Sequence, residues 1–193
     1  VDNLRMASKI SRIVGMGHQQ AVVQPAMYYR NFESLTLAKG LLLPTFPASR
    51  QICTIGGMVA NNAGGEKSLV YGQTVRYVHA LKAVLSDGNE YSFGPVTRQE
   101  ADRKAREDSL EGRIYRGMFS LVTDNYKLIY QSRPRVSKNS AGYQLWHVWD
   151  GGTFNLAKLF TGSQGTLGII TQITLDLVRP KPYSRLVVVF LDD

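Results

Sequence analysis

Thr54-Ile55-Gly56-Gly57-Met58-Val59-Ala60-Asn61-Asn62-Ala63-Gly64-Gly65 sets two glycine pairs around small and amide side chains. Side chains of this size let backbone N–H groups approach a ligand, and glycine reaches conformations that other residues avoid. Such a loop can hold an oxygen-rich or planar cofactor. It also suits a tight turn and helix start packed against neighbours, and a glycine cluster alone does not separate the two. It is neither a phosphate loop ending in Gly-Lys-Ser/Thr nor the dinucleotide fingerprint that follows a strand. A second cluster, Phe160-Thr161-Gly162-Ser163-Gln164-Gly165-Thr166-Leu167-Gly168-Ile169-Ile170-Thr171, runs into an apolar strand. Glycine before a strand can mark only a bulge or close packing. Three of them among hydroxyl and amide groups favour a binding edge.

Acid–base chemistry has few candidates. His18, His79 and His147 are far apart, with His79 in an expected strand and His147 between two tryptophans, and no pair has the His-Glu-x-x-His spacing of a metal site. Cys53 precedes the glycine loop. A lone thiol packs as a small hydrophobe unless an electropositive setting activates it. As the single Cys of the chain it excludes an intramolecular disulfide and a multi-cysteine zinc site.

The elements that must position these loops follow from periodicity and punctuation. Residues 20–25 read as a short strand stopped by Pro25; residues 28–39 have helical spacing (Tyr28, Phe32, Leu35, Ala38) and end at Gly40, the expected left-handed cap. Residues 41–49 carry Pro44 and Pro47 and must be extended or irregular. Residues 77–85 and 90–93 form a hairpin about Ser86-Asp87-Gly88-Asn89. Residues 98–131 read as helical, with Gly112 and Gly117 implying two helices or a kink, and the charges from Arg98 to Asp108 forming a solvated face. Residues 153–160 read as another short helix, and strands over 167–177 and 185–191 close the chain. Helices and strands do not alternate regularly, so the expected class is α+β, with a largely antiparallel sheet flanked by helices.

The chain has 193 residues and a net charge of +8 from 23 Lys+Arg and 15 Asp+Glu. A domain of this size buries about 70% of its extended surface, enough for a substantial core. The basic residues are scattered, with no polybasic run, no aromatic–basic interleaving and no recognised reader motif, which argues against a nucleic-acid-binding domain. A small phosphate-bearing ligand would profit from the same field. No 18 apolar residues run together, and no charged segment followed by an apolar one opens the sequence. The expectation is a cytoplasmic protein with no membrane span.

Four stretches occur together in order: PASRQICTIGGMVANNAGG at 47–65, YGQT at 71–74, KNSAGYQLW at 138–146 and FTGSQGTLGIITQITLDLVRP at 160–180. With them the chain resembles the FAD-linked oxidase family, whose FAD-binding domain is of the PCMH (vanillyl-alcohol oxidase) type, in the branch of D-lactate dehydrogenases and the glycolate oxidase flavin subunit. The resemblance covers nearly the whole chain. It implies FAD as cofactor and, in the complete enzyme, a small 2-hydroxy acid substrate such as D-lactate or glycolate. It also implies that residues 1–193 are the second lobe of the FAD-binding domain with its lead-in strand. The Gly-rich pyrophosphate loop of the first lobe and the substrate cap are not found in these residues and would come from a missing lobe or partner subunit.

Carried over residue by residue, the family's flavin contacts fall on Ser49, Thr54, Gly57, Asn61, Asn62, Ala63 and Gly64, and on Gly165, Gly168 and Ile170. Tyr71, Gly72, Asn139 and Tyr143 resemble further pocket residues. No catalytic residue and no metal ligand is assigned, and Cys53 is expected to make no covalent flavin link. Two departures stand out: Gln164 where the family has Glu, and Ala26 where it has Gly after Gln-Pro. The alternative is a non-catalytic module that docks a partner chain and binds FAD weakly or not at all.

Overall fold

The computed structural model describes residues 10–14 and 19–183, together with 185 and 187–189; for residues 10–14 it describes the backbone course alone. Its frame is a five-stranded antiparallel sheet made from β1 (Ile10–Val14), β2 (Gln20–Val23), β3 (Val78–Val84), β4 (Glu90–Phe93) and β7 (Ile169–Asp176), in the order β1-β2-β7-β3-β4. The two-residue period of these strands sends Ala21, Val23, Val78, Leu81, Ala83, Ile173 and Leu175 into the core. Facing partners Ala21↔Leu175 and Leu81↔Ile173 fix the register. Pairing is antiparallel throughout, as the sequence implies.

The hairpin β3–β4 turns where Asp87 Oδ1 accepts the Asn89 N–H at 3.1 Å and Gly88 takes φ +81°. Helix α1 (Tyr29–Leu37) buries Tyr29, Phe32 and Thr36. It stops at Gly40, where φ is +68° and the Leu41 N–H bonds back to Thr36 O at 3.0 Å. The proline-bearing stretch that follows is irregular but buried from Leu41 to Phe46, and is held to the sheet side through the Leu42–Val178 bridge.

Three elements depart from the sequence expectation. The 98–131 region forms three helices, α4 (Arg98–Ala105), α5 (Leu110–Asp124) and α6 (Tyr126–Gln131), separated at residues 106–109 and at Asn125. Neither glycine breaks them. Ser109 Oγ caps α5 by accepting the Gly112 N–H at 3.0 Å, and Gly112 is small because a Cβ there would meet the Glu107 carbonyl. Residues 153–160 split into strand β6 (Thr153–Asn155) and helix α7 (Ala157–Phe160). Asp150 Oδ1 accepts from the N–H groups of Gly152 and Thr153, turning the chain so that β6 pairs with β5 (Pro95–Thr97). Of the expected strand 185–191, residues 185 and 187–189 carry no strand; Val187, Val188 and Val189 are exposed, and the rest lies outside the described residues.

Aromatic side chains join the helices to the sheet: Phe93 stacks on Phe160 at 5.1 Å, and Phe154 lies 5.9 Å from Tyr115 and 5.5 Å from Phe119. Among the described residues no helix is long and apolar enough to cross a membrane.

Lys158 on α7 donates from Nζ to the carbonyls of Val75 at 2.8 Å and Val78 at 2.7 Å, tying α7 to the entry of β3. Burial pushes its ammonium down to about 8, with Asp176 opposing the shift. Between that value and the ordinary lysine value the unfolded chain holds more protons than the folded one, so stability rises with pH across that window. Urea unfolding between pH 8 and 10.5 is expected to show a gain on the order of 3 kcal/mol in the natural chain that is absent in Lys158→Met. Parallel pH profiles for the two proteins would contradict this.

Candidate functional site

The first glycine cluster folds as helix α2 (Ile55–Ala60) and its C-terminal turn. A six-residue helix does not hold itself together in water, so its termini must be tied from outside. Thr54 Oγ1 accepts the Gly57 N–H at 3.2 Å, and the Ile55 and Gly56 N–H groups bond to Met27 O at 2.9 Å and Pro25 O at 2.7 Å. A Cβ on Gly56 would lie 2.6 Å from Pro25 Cβ, so only glycine lets the two segments approach. Ala26, where the family pattern has glycine, fits because its backbone is not left-handed. Ile55, Met58 and Val59 point inward, while Gly57 and Asn61 face out.

The four ordered stretches converge on the end of this helix. Asn62 is fully buried with φ +45°, and its amide is committed on both sides: Nδ2 donates to Asn139 O at 3.0 Å and Oδ1 accepts the Val75 N–H at 2.9 Å. Its own carbonyl accepts from Gln73 Nε2 at 2.7 Å, while Gln73 Oε1 accepts the Asn139 N–H at 2.6 Å. Thr74 Oγ1 donates to Ala63 O at 2.8 Å. The second glycine turn is fastened to the same helix end, with the Gly162 N–H on Val59 O and the Gln164 N–H on Ala60 O, each at 2.9 Å. Gln164 is itself left-handed, at φ +52°, with its side chain exposed. Tyr143 and Thr166 share a hydroxyl contact of 2.8 Å, which joins the third stretch to the fourth.

Ser49, Thr54, Gly57, Asn61 and Ala63 line one cleft of about 380 Å³, together with Pro47, Ile52, Cys53 and Met58. Ser49 and Gly64 line a neighbouring cleft of about 570 Å³ that also holds Arg50, Glu66 and Lys138. Asn62 lines neither; its side chain positions the loop from within. Gly165, Gly168 and Ile170 also lie outside both clefts, the two glycines in the turn before β7 and Ile170 at its start. Among the described residues β7 has an open edge there, because β2 pairs only with residues from Ile173 to Asp176, and Ile169 is 72% exposed. Tyr71, the last residue of helix α3 (Ser68–Tyr71), offers its carbonyl to Tyr77 Oη at 3.1 Å, and Gly72 and Asn139 face a different pocket, with Gln73 and Arg76. His79 pairs with Asp176 at 3.6 Å and His18 lies outside the described residues.

These surfaces suit a cofactor with a flat, hydrogen-bonding part. Within the Ser49–Ala63 cleft the Cys53 thiol is the one ionisable side chain, and burial holds its pKa above the ordinary thiol value. The Gly64 N–H has no acceptor among the described residues, and the first residues of β7 present unpaired backbone groups. Small side chains, free backbone donors and a strand edge are what FAD would require of this part of a site, and the fit holds. Sequence reasoning quoted Gln73 within YGQT but gave it no role; its importance lies in partners distant in sequence.

Replacing Asn62 by Ala leaves the Val75 N–H and the Asn139 carbonyl without partners and removes a residue type tolerant of left-handed backbone. The expected cost is about 3 kcal/mol, read as a lower urea midpoint. A change below about 0.5 kcal/mol would mean that the loop does not depend on this amide.

Residues 3–94 match the FAD binding domain family. The D-2-hydroxyglutarate dehydrogenase of Pantoea ananatis is 38% identical over 137 residues, 70% of this chain and 13% of that protein. Glycolate oxidase subunit GlcD of Bacillus subtilis is 30% identical over 165 residues, 86% of this chain and 24% of that protein. The D-lactate dehydrogenase of Anaerostipes hadrus is 29% identical over 179 residues, 92% of this chain and 27% of that protein. The chain thus spans about an eighth to about a quarter of the length of these relatives. Two crystal forms of alkyldihydroxyacetonephosphate synthase share the fold, with TM-scores of 0.52 and 0.54 at 18% and 19% identity, covering 90% of this chain and 21% and 22% of theirs. Motif order, fold and these likenesses agree: residues 3–94 belong to the FAD binding domain family.

Proposed function

We propose that these residues form the second FAD-binding lobe of a flavin-dependent oxidoreductase that oxidises a small 2-hydroxy acid such as D-lactate or glycolate. The observation that carries this reading is the convergence of the four ordered stretches on the C-terminal end of α2, beside clefts lined by small side chains and an open strand edge. The similar D-2-hydroxyglutarate and D-lactate dehydrogenases and glycolate oxidase subunit suggest the substrate class.

FAD, when bound, supplies an acceptor for the hydride that leaves the hydroxyl-bearing carbon. The chain's own part is binding and orientation. Ser49, Thr54, Gly57, Asn61 and Ala63 provide the small-residue wall, Gly64 a free backbone donor, Gly165 and Gly168 the turn into β7, and Ile170 the strand-edge contact. Asn62 holds these parts in register from behind. The Cys53 thiol, kept protonated by burial, is not poised to take a proton from the substrate hydroxyl. That base, the first lobe with its pyrophosphate loop, and the substrate cap are assigned to other residues of the enzyme or of a partner subunit. The 193 residues alone are accordingly expected to show little turnover.

Exposed apolar side chains support a covered face: Ile52 is 72%, Leu69 84% and Ile169 72% exposed. They also favour the second reading, a docking module with weak or no FAD binding. Flavin fluorescence during titration of FAD into the chain separates the two. The oxidoreductase reading expects saturable binding that Gly57→Leu weakens about tenfold, ~1.4 kcal/mol, by filling the cleft. Unchanged far-UV circular dichroism would show that the variant still folds. Absence of any FAD binding by the natural chain would leave the docking module as the better reading.

A further inference from the structure

We infer that the chain carries a second ligand site, for a small oxyanion of the carboxylate or phosphate type, in the pocket between the Ser68–Arg76 and Arg133–His147 segments. The pocket holds about 240 Å³, room for one anionic group but not for a dinucleotide. Arg76 and Arg133 line it, no carboxylate does, and neither arginine forms an ion pair among the described residues. Two guanidinium groups on one concave wall make a site for a planar or tetrahedral oxyanion, which each can engage through paired N–H donors.

A buried amide beside the exposed arginines distinguishes this pocket from ordinary surface charge. Gln144 lines it, is only 2% exposed, and its Nε2 has no acceptor among the described residues. A buried amide donor without a partner is costly, and a ligand oxygen in the pocket would satisfy it. His147 shares the wall; burial, together with the positive charges of Arg133, Lys158 and Arg76, pushes its imidazolium down to about 4. Three cations therefore act on one ring that is neutral at physiological pH. Arg76 is also placed: its side chain fills the space beside Gly72, where a Cβ would lie 2.5 Å from Arg76 Cδ. Gly72 and Asn139, which resemble flavin-pocket residues, share this wall, but the FAD reading assigns no contact to Arg76, Arg133 or His147, so the two can fail independently.

Calorimetric titration of the full chain with sodium phosphate, and separately with sodium D-lactate, tests this at constant ionic strength in chloride. Saturable one-site binding of at least one anion is expected, weakened tenfold or more by Arg133→Ala, an exposed side chain whose loss should not unfold the protein. Arg98→Ala, which removes a cation lying over the Phe119 ring, should leave affinity within twofold. The His147 ring, followed by NMR, should titrate at higher pH once the anion is bound. Tenfold preference for phosphate would identify a phosphate site, and the reverse preference a carboxylate site. Non-saturable heats for both anions, equal losses in Arg98→Ala and Arg133→Ala, or an unmoved His147 midpoint would overturn the inference.

Discussion

The Asn62 amide is the interaction on which the candidate site depends. Its left-handed backbone turns the chain out of α2 at the point where its side chain, fully buried, bonds a donor near the start of β3 and an acceptor in the 138–146 stretch. Asparagine suits both demands, because it tolerates left-handed backbone and carries a donor and an acceptor on one planar group. Gln73 closes the same network from the other side, bonding the Asn62 carbonyl and the Asn139 N–H. Each bond is modest alone. In a water-excluded setting the members constrain one another, and removing any one leaves a buried group unpaired. A six-residue helix with little stability of its own becomes a fixed wall for a ligand.

The sheet supplies the second constraint through a proline. β2 is four residues long and pairs with β7 only from Ile173 onward. Continuing the register would set Gln24 against Gln172, but Pro25 follows, and the chain turns with the Met27 N–H on Gln24 O at 3.2 Å. That turn does two things. It leaves the start of β7 with an unpaired edge, and it aims the Pro25 and Met27 carbonyls at the first N–H groups of α2. The segment that ends one strand therefore both exposes a backbone edge and anchors the helix beside it. β7 arrives from the far end of the sequence, so the edge forms only once distant parts of the chain have met.

Those features were unequally legible in the sequence. The stop at Pro25, the cap at Gly40, the Asp87-Gly88 hairpin and the last long strand all follow from local chemistry and appear where expected. The 153–160 segment misleads because the Asp150 carboxylate and Asn155 override its helical spacing; Asn155 Oδ1 accepts the Ala157 N–H at 2.9 Å, and the helix begins only there. Gly112 misleads in the opposite sense, since a glycine needed for contact with a neighbouring carbonyl resembles one that breaks a helix. The ten residues carried over from the family pattern sort in the fold into cleft-lining, strand-edge and buried positioning groups. Spacing alone could not make that division, because it turns on hydrogen bonds between segments remote in sequence.

Charge shows the same step from sequence to space. Read along the chain, the excess of eight positive charges is diffuse, with no basic run to suggest a ligand. Folding pairs some of it, as in Lys82 with Glu90 at 3.5 Å and Lys104 with Glu111 at 2.6 Å. Arg76, Arg133 and Lys158 come from three separate segments, yet all three act on the His147 ring. Lys158 can be held there because two backbone carbonyls accept its protons, which stabilises a buried ammonium, with the Asp176 carboxylate favouring its charge. Converging on a buried ring, these charges act over short distances, whereas the same charges spread over the surface would be screened within about 8 Å.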